Sequence, residues 1–267
     1  MGWLRSLTKL FLFLLLSAVT IPIQSLVLLL NRGRGALFLP WVFQVISARL
    51  YGLKITAQGE KPLTHGLLVG NHLSYLDIIV IGQCFPVSFI AKKEVSRWPL
   101  FGTLAVLQRT VFIERKKTKS QEGALSLRDR LAQGHLLILF GEGTSTNGET
   151  VRQFKSTLLK SLFSDSAQDT LQVQTFTLIL DSVNGTPLLT SADRDLYTWH
   201  GDMTLVPHLW KFGQLSGADL RIIFHAPRDI GTYSDRKALA NDCYNECLNG
   251  LTQNILPPPL NHIKTSV

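Results

Sequence analysis

Gly66-Leu67-Leu68-Val69-Gly70-Asn71-His72-Leu73-Ser74-Tyr75-Leu76-Asp77 decides how this chain is read. The first five residues are a short apolar run bounded by glycines, which predicts a buried strand. The pattern then turns polar at Asn71 and His72, and a helix is expected over Tyr75–Gln83. A strand whose carboxyl end runs into a helix start is the repeating joint of an α/β fold, and polar groups at that joint are where sites form.

The same alternation continues on both sides. Strands are expected at Gly66–Gly70, Val87–Ala91, Thr110–Glu114, His135–Phe140, Gln172–Leu180 and Leu220–His225. Helices are expected at Pro99–Leu107, Lys119–Ala132, Gln153–Phe163, Leu205–Phe212 and Asp235–Leu251. The fold class is therefore α/β, a mixed sheet flanked by helices. Leu256–Val267 opens with three prolines and reads as a strap over the surface.

Upstream the chain changes character. Leu10 to Leu30 carries no charge and is dominated by Leu, Phe, Val and Ile, long enough to cross a bilayer core. Arg32 and Arg34 stand where a secretory signal would need small residues, which argues against cleavage. Pro22 and Gln24 interrupt the run, so a kinked or re-entrant helix is one reading. A second, amphipathic stretch, Ala36–Leu53, has Trp41, Arg49 and Tyr51 at headgroup-seeking positions. Both a true span and a hairpin lying in one leaflet fit, and the short second stretch favours the hairpin. The division expected is a membrane anchor over residues 1–55 and a catalytic domain over 56–267.

Charge supports a membrane rather than a nucleic acid as partner. The net charge is +8, yet residues 1–59 hold six basic residues and no acid, while the rest is nearly balanced. The excess therefore flanks apolar helices, as expected beside an anionic cytoplasmic leaflet, and does not form a basic polar face. Three cysteines, Cys84, Cys243 and Cys247, form no disulfide framework and suit a reducing compartment.

Three segments carry chemistry. His72 and Asp77 are five apart, and in a regular helix they would point about 140° from each other. They meet only if His72 sits in the non-helical cap, where Asn71 or Ser74 is placed to close the helix end. If they meet, Asp77 fixes the imidazole tautomer and the other ring nitrogen takes a proton from a hydroxyl. The acceptor's own hydroxyl then attacks, with no serine nucleophile. The run Phe140-Gly141-Glu142-Gly143-Thr144-Ser145-Thr146 follows a strand, so its glycines and hydroxyls can approach an anion, with Arg152 and Lys155 supplying charge. It lacks the Gly-Lys-Ser/Thr ending of a P-loop. Arg109–Lys119 ends a strand in a cationic cluster, where Arg115 can hold a phosphate or carboxylate bidentately.

In this order and spacing, Asn71-His72-x4-Asp77, Phe112-Ile113-Glu114-Arg115 and Glu142-Gly143-Thr144 resemble the PlsC-type lysophospholipid acyltransferase family, whose best-known members are 1-acylglycerol-3-phosphate acyltransferases. Ala91–Val95 and Pro99–Gly102 are similar to a family segment between the first two motifs. The resemblance implies that His72 is the general base and Asp77 its orienter. It implies that Arg115, Glu142, Gly143 and Thr144 shape the acceptor's headgroup site, with Lys92 and Lys155 nearby. It implies acyl-CoA or acyl carrier protein as donor, no metal or other cofactor, and a bacterial inner-membrane enzyme with its catalytic domain on the cytoplasmic face.

Two motifs depart from the usual family pattern. Gly141 and Ser145 flank Glu-Gly-Thr where the family usually has Pro and Arg or Ser, and Val173-Gln174-Thr175 lacks the proline of a fourth motif. Tyr197–Met203 and Pro207–Trp210 resemble a bacterial branch acting on lysophosphatidate and on lyso-ornithine lipid. Lysophosphatidate is the first acceptor expected; lyso-ornithine lipid, with an amine and a carboxylate in place of phosphate, is the rival. A hydrolase is disfavoured by the absence of Gly-x-Ser-x-Gly, and a zinc enzyme by the absence of His-Glu-x-x-His and Cys-x-x-Cys. A non-catalytic lipid-binding protein would have no use for an intact His72–Asp77 pair.

Overall fold

Nine strands build one sheet in the computed structural model, which describes residues 2–113, 120–163 and 171–254. They are β1 (Leu53–Gly59), β2 (Gly66–Gly70), β3 (Ser88–Lys92), β4 (Val111–Ile113), β5 (Leu136–Phe140), β6 (Gln172–Val183), β7 (Thr186–Pro187), β8 (Ala218–Phe224) and β9 (Arg228–Asp229). The order is β1-β8-β6-β2-β5-β3-β4, with β7 and β9 pairing to β6. From β6 through β2, β5 and β3 to β4 every pair is parallel, while β8 runs antiparallel to β6. The sheet is therefore mixed, and β2, β5, β3 and β4 all deliver their carboxyl ends to one edge.

β2 and β5 are buried at every position, which is why both read as unbroken apolar runs. Their side chains alternate between two cores. Leu68, Leu136, Ile138 and Phe140 face one, and Leu67, Val69, Leu137 and Leu139 the other.

The helices are α1 (Gly2–Leu30), α2 (Phe38–Tyr51), α3 (Asp77–Gly82), α4 (Phe101–Leu107), α5 (Ser120–Ala132), α6 (Ser191–Arg194), α7 (Leu205–Gly213) and α8 (Arg236–Asn254). α1 continues through Pro22. It is long and apolar enough to cross a membrane, by length and composition. Its polarity is inverted: Ser6, Lys9, Ser17, Thr20 and Gln24 are buried against the body, while Trp3, Phe11, Leu15, Leu26 and Leu30 are exposed. Several of the inward polar groups find partners, although Gln24 Oε1 has none among the described residues. Lys9 Nζ donates to the Leu215 carbonyl (2.8 Å), and Gln24 Nε2 to the carbonyls of Ala36 (2.8 Å) and Leu107 (3.1 Å).

The expected helix Gln153–Phe163 begins three residues late and forms tight 3-10 turns over Ser156–Phe163. The Lys155 N–H donates to the Gly141 carbonyl at 2.9 Å, which pins the start of that segment to a neighbouring loop. β1 falls where the sequence reading has the end of an apolar helix and no strand; it pairs in parallel with β8 from the far end of the chain. The proline-led tail and Arg115 lie outside the described residues.

Candidate active site

β2 ends at Gly70 and α3 starts at Asp77, leaving a six-residue turn. Asn71 anchors that turn to β6: its Nδ2 donates to the Leu178 carbonyl (2.9 Å) and its Oδ1 accepts the Leu178 N–H (2.7 Å). It does not cap α3, and neither does Ser74; no side chain caps the helix start. Asp77 reaches backwards instead. Its Oδ2 accepts the N–H groups of Leu73 (2.7 Å) and Ser74 (3.0 Å). That hydrogen bonding folds the turn over the helix end and brings His72 to the carboxylate.

His72 Nδ1 lies 2.7 Å from Asp77 Oδ2. Asp77 is fully buried, while 19% of the His72 side chain is exposed. A neutral imidazole that donates from Nδ1 to the carboxylate presents a basic Nε2 on its other side. The ring also stacks on Phe140, centroids 3.8 Å apart and planes 13° apart. One hydrogen bond and one stacking contact therefore fix both the position and the tilt of the imidazole.

Glu142 follows β5 as His72 follows β2, and Gly70 and Phe140 are register partners. Its carboxylate is turned inward: Oε1 accepts the His72 N–H (2.8 Å) and Oε2 the Arg152 N–H (2.9 Å). Glu142 thus braces the backbone of the histidine. Burial pushes its carboxyl from 4.5 up to about 7, helped by the Asp77 charge and opposed by the two N–H donors. The folded protein therefore takes up a proton between about pH 7 and 4.5 that the unfolded chain does not. Stability from this group is present at low pH and is lost as pH rises through 7. Relative to Glu142→Gln, the parent should gain on the order of 2 kcal/mol in unfolding free energy between pH 8 and pH 5. Denaturation at the two pH values measures it, and equal differences at both would remove the linkage.

Gly143 adopts φ +64°, and the Lys155 side chain lies over it; a Cβ at 143 would sit 3.1 Å from Lys155 Cδ and 3.4 Å from Nζ. A side chain there would be strained and would displace that lysine. Thr144 is half-buried beside it, and Lys155 is exposed. Lys92 closes β3 on the same edge, exposed. The structure so gathers His72, Asp77, Glu142, Gly143, Thr144 and Lys155 around one loop pair, with Lys92 two strands over.

Sequence reasoning missed two partners. Tyr197, fully buried, donates its hydroxyl to Asp77 Oδ1 at 2.7 Å. Burial, and then the Asp77 charge, hold that phenol well above its ordinary pKa, so it stays a donor. Phe140 supplies the stacking face. The segment that carries Tyr197 is clamped onto the site: the Trp199 N–H donates to the Leu73 carbonyl (2.9 Å), and Ser145 Oγ donates to the Trp199 carbonyl.

The family model described as Acyltransferase matches residues 54–167. The lyso-ornithine lipid O-acyltransferase of Brucella abortus is 37% identical over 238 residues, covering 86% of this chain and 87% of its own. The chain belongs to the acyltransferase family. It is a lipid acyltransferase of the PlsC type, and its apolar α1 fits the membrane association of that family. The lyso-ornithine lipid O-acyltransferase of Rhodobacter capsulatus is 34% identical, over 78% of this chain and 74% of its own. The 1-acyl-sn-glycerol-3-phosphate acyltransferase of Neisseria meningitidis is 26% identical, over 73% and 72%. The fold matches the crystal structure of the acyltransferase PlsC from Thermotoga maritima with a TM-score of 0.64, covering 95% of this chain and 97% of that one at 18% identity.

Proposed function

We propose that this acyltransferase moves a fatty acyl group from acyl-CoA or acyl carrier protein to the free hydroxyl of a lyso-ornithine lipid. The observation that carries the chemistry is the 2.7 Å contact between His72 Nδ1 and a fully buried Asp77. The acceptor hydroxyl hydrogen-bonds to Nε2 and passes its proton there as its oxygen attacks the thioester carbonyl. Asp77 stabilises the imidazolium that forms. Collapse of the tetrahedral adduct breaks the carbon–sulfur bond, and the departing thiolate takes the proton back. The chemistry uses no metal or cofactor beyond the carrier.

Two features support the ornithine acceptor. The relatives at 37% and 34% identity carry that activity in their names, against 26% for the lysophosphatidate enzyme. Ser145, at a position where the family has Arg or Ser, brings no cation for a phosphate and is tied to the Trp199 carbonyl. Lysophosphatidate, the acceptor expected first from the sequence, becomes the second reading, supported by the Neisseria relative.

The proposed division keeps residues 1–55 as the membrane anchor. α1 lies in one leaflet, because its polar face follows the body from Ser6 to Gln24 and its apolar face is open. A spanning α1 would carry the body into hydrocarbon. The basic amino-terminal flank supports the cytoplasmic face of a bacterial inner membrane.

Purified enzyme offered each lyso-lipid with acyl carrier protein and CoA thioesters tests the reading. Diacylated ornithine lipid is the expected product, with kcat/KM at least about tenfold above that for lysophosphatidate. Exclusive formation of phosphatidic acid would overturn the acceptor assignment.

A further inference from the structure

Beyond the catalytic pair, the loop that follows Glu142 leads to a groove of about 450 Å³ lined by Glu149, Leu188, Leu189, Thr190, Ser191 and Arg194. Arg194 is half-buried there, at the end of α6. Among the described residues its side chain makes one hydrogen bond, a long one from Nη1 to the Gly148 carbonyl at 3.5 Å, and no ion pair. The nearby acids are engaged elsewhere. Asp193 closes the capping box of α6 with Thr190, and Asp195 pairs with His200 at 3.0 Å. A guanidinium has five N–H donors, so most of its capacity is left for a ligand in the groove it lines.

Glu149 lines the same groove without touching Arg194. Its oxygens are held by Ser191 Oγ (2.5 Å) and Asn147 Nδ2 (2.8 Å), which fix the carboxylate in place and hold it below its ordinary pKa. Each oxygen keeps a lone pair for a further donor. Two opposite charges thus stand at one groove without a direct ion pair between them: Glu149 is held by its own neighbours, and the Arg194 charge adds to the effects that lower its pKa.

The groove adjoins the catalytic turn. Gly148, at φ +73°, threads between them: a Cβ there would lie 2.8 Å from Leu73 Cδ2 and 3.7 Å from Arg194 Nη1. Leu73 is the residue after the catalytic histidine, and the Thr146 N–H donates to the His72 carbonyl at 2.9 Å. Ser145 ties the Trp199 carbonyl, and so holds the segment that carries Arg194 against this loop. The residue at 145 supplies no cation; it fixes the segment whose cation lies five residues before Trp199.

We propose that Arg194 and Glu149 form the headgroup subsite, Arg194 receiving the carboxylate and Glu149 the ammonium of a zwitterionic amino-acid headgroup. The inference rests on the ornithine-lipid reading above. A phosphomonoester would meet Arg194 favourably but face the Glu149 charge, so the pair selects against it as well as for the zwitterion.

The test compares the parent, Glu149→Gln, Arg194→Gln and Arg194→Lys with lyso-ornithine lipid and lysophosphatidate in mixed micelles, after thermal melts establish folding. Glu149→Gln and Arg194→Gln should each raise KM for lyso-ornithine lipid about tenfold while kcat changes by less than about threefold, the effect of losing one charge-assisted contact. Arg194→Lys should recover part of the loss. Glu149→Gln should lower KM for lysophosphatidate. Unchanged KM for lyso-ornithine lipid in both glutamine variants overturns the subsite and leaves the acceptor reading standing. A parent that acylates lysophosphatidate alone overturns the acceptor reading and the subsite with it. If Arg194→Gln fails to fold, Glu149→Gln decides, because its amide keeps both hydrogen bonds.

Discussion

His72→Ala should lower acyl transfer by about 10⁴-fold and leave the protein folded and membrane-bound. The loss is large because proton removal from the acceptor rests on this ring alone in the proposed chemistry. Neither Glu142 nor Tyr197 can replace it: Glu142 is occupied by two backbone N–H groups, and Tyr197 stays protonated behind Asp77. Folding survives because the buried carboxylate is not stranded. Without the imidazole, Asp77 still accepts from the Leu73 N–H, the Ser74 N–H and the Tyr197 hydroxyl. The lost stacking on Phe140 and one hydrogen bond cost about 1–3 kcal/mol. Single-turnover transfer of a radiolabelled acyl chain measures the rate, and a thermal melt measures the fold. A variant that retained a tenth of the parental rate would remove His72 from the chemistry.

The parts legible in the sequence are those whose cause is local. β2 and β5 are covered on both faces, so each is an uninterrupted apolar run. The His72–Asp77 pair is legible because five residues cannot share a helical face, which forces the histidine out of the helix. What went unread depends on contacts between distant segments. β1 has mostly exposed side chains and follows an apolar helix directly, so nothing in Leu53–Gly59 marks it; its partner β8 lies near the other end of the chain. Tyr197 reaches Asp77 across 120 residues, and no spacing rule anticipates that. Glu142 stands in a readable motif, but its direction does not: glycines on both sides suggest an anion site, whereas the carboxylate turns inward to hold the His72 and Arg152 backbone. α1 is legible as an apolar helix, but its packing is not. Its composition fits a span or a helix lying in one leaflet, and the burial of Ser6, Lys9, Ser17, Thr20 and Gln24 adds that its polar side chains pack along the body.

Asp77→Asn separates the charge of this carboxylate from its geometry. The substituted amide has one orientation that the site accepts. Three donors converge on Oδ2, from His72, Leu73 and Ser74, so the amide oxygen must take that place. The NH₂ group then faces Tyr197, whose hydroxyl rotates from donor to acceptor. The turn stays closed and His72 keeps its position, but the imidazolium formed during attack loses its counter-charge in a buried site. Acyl transfer should fall about 10³-fold with little change in KM for either substrate. Tyr197→Phe alone should cost only a few-fold, because Asp77 keeps its three other donors. Combined with Asp77→Asn it leaves the amide NH₂ buried without an acceptor, so the double variant should be less stable than the sum of the two by about 1–3 kcal/mol. That excess is the diagnostic quantity. If the two substitutions add without coupling, the Tyr197 hydroxyl does not rotate to receive the amide, and the retained geometry on which the charge argument depends is lost.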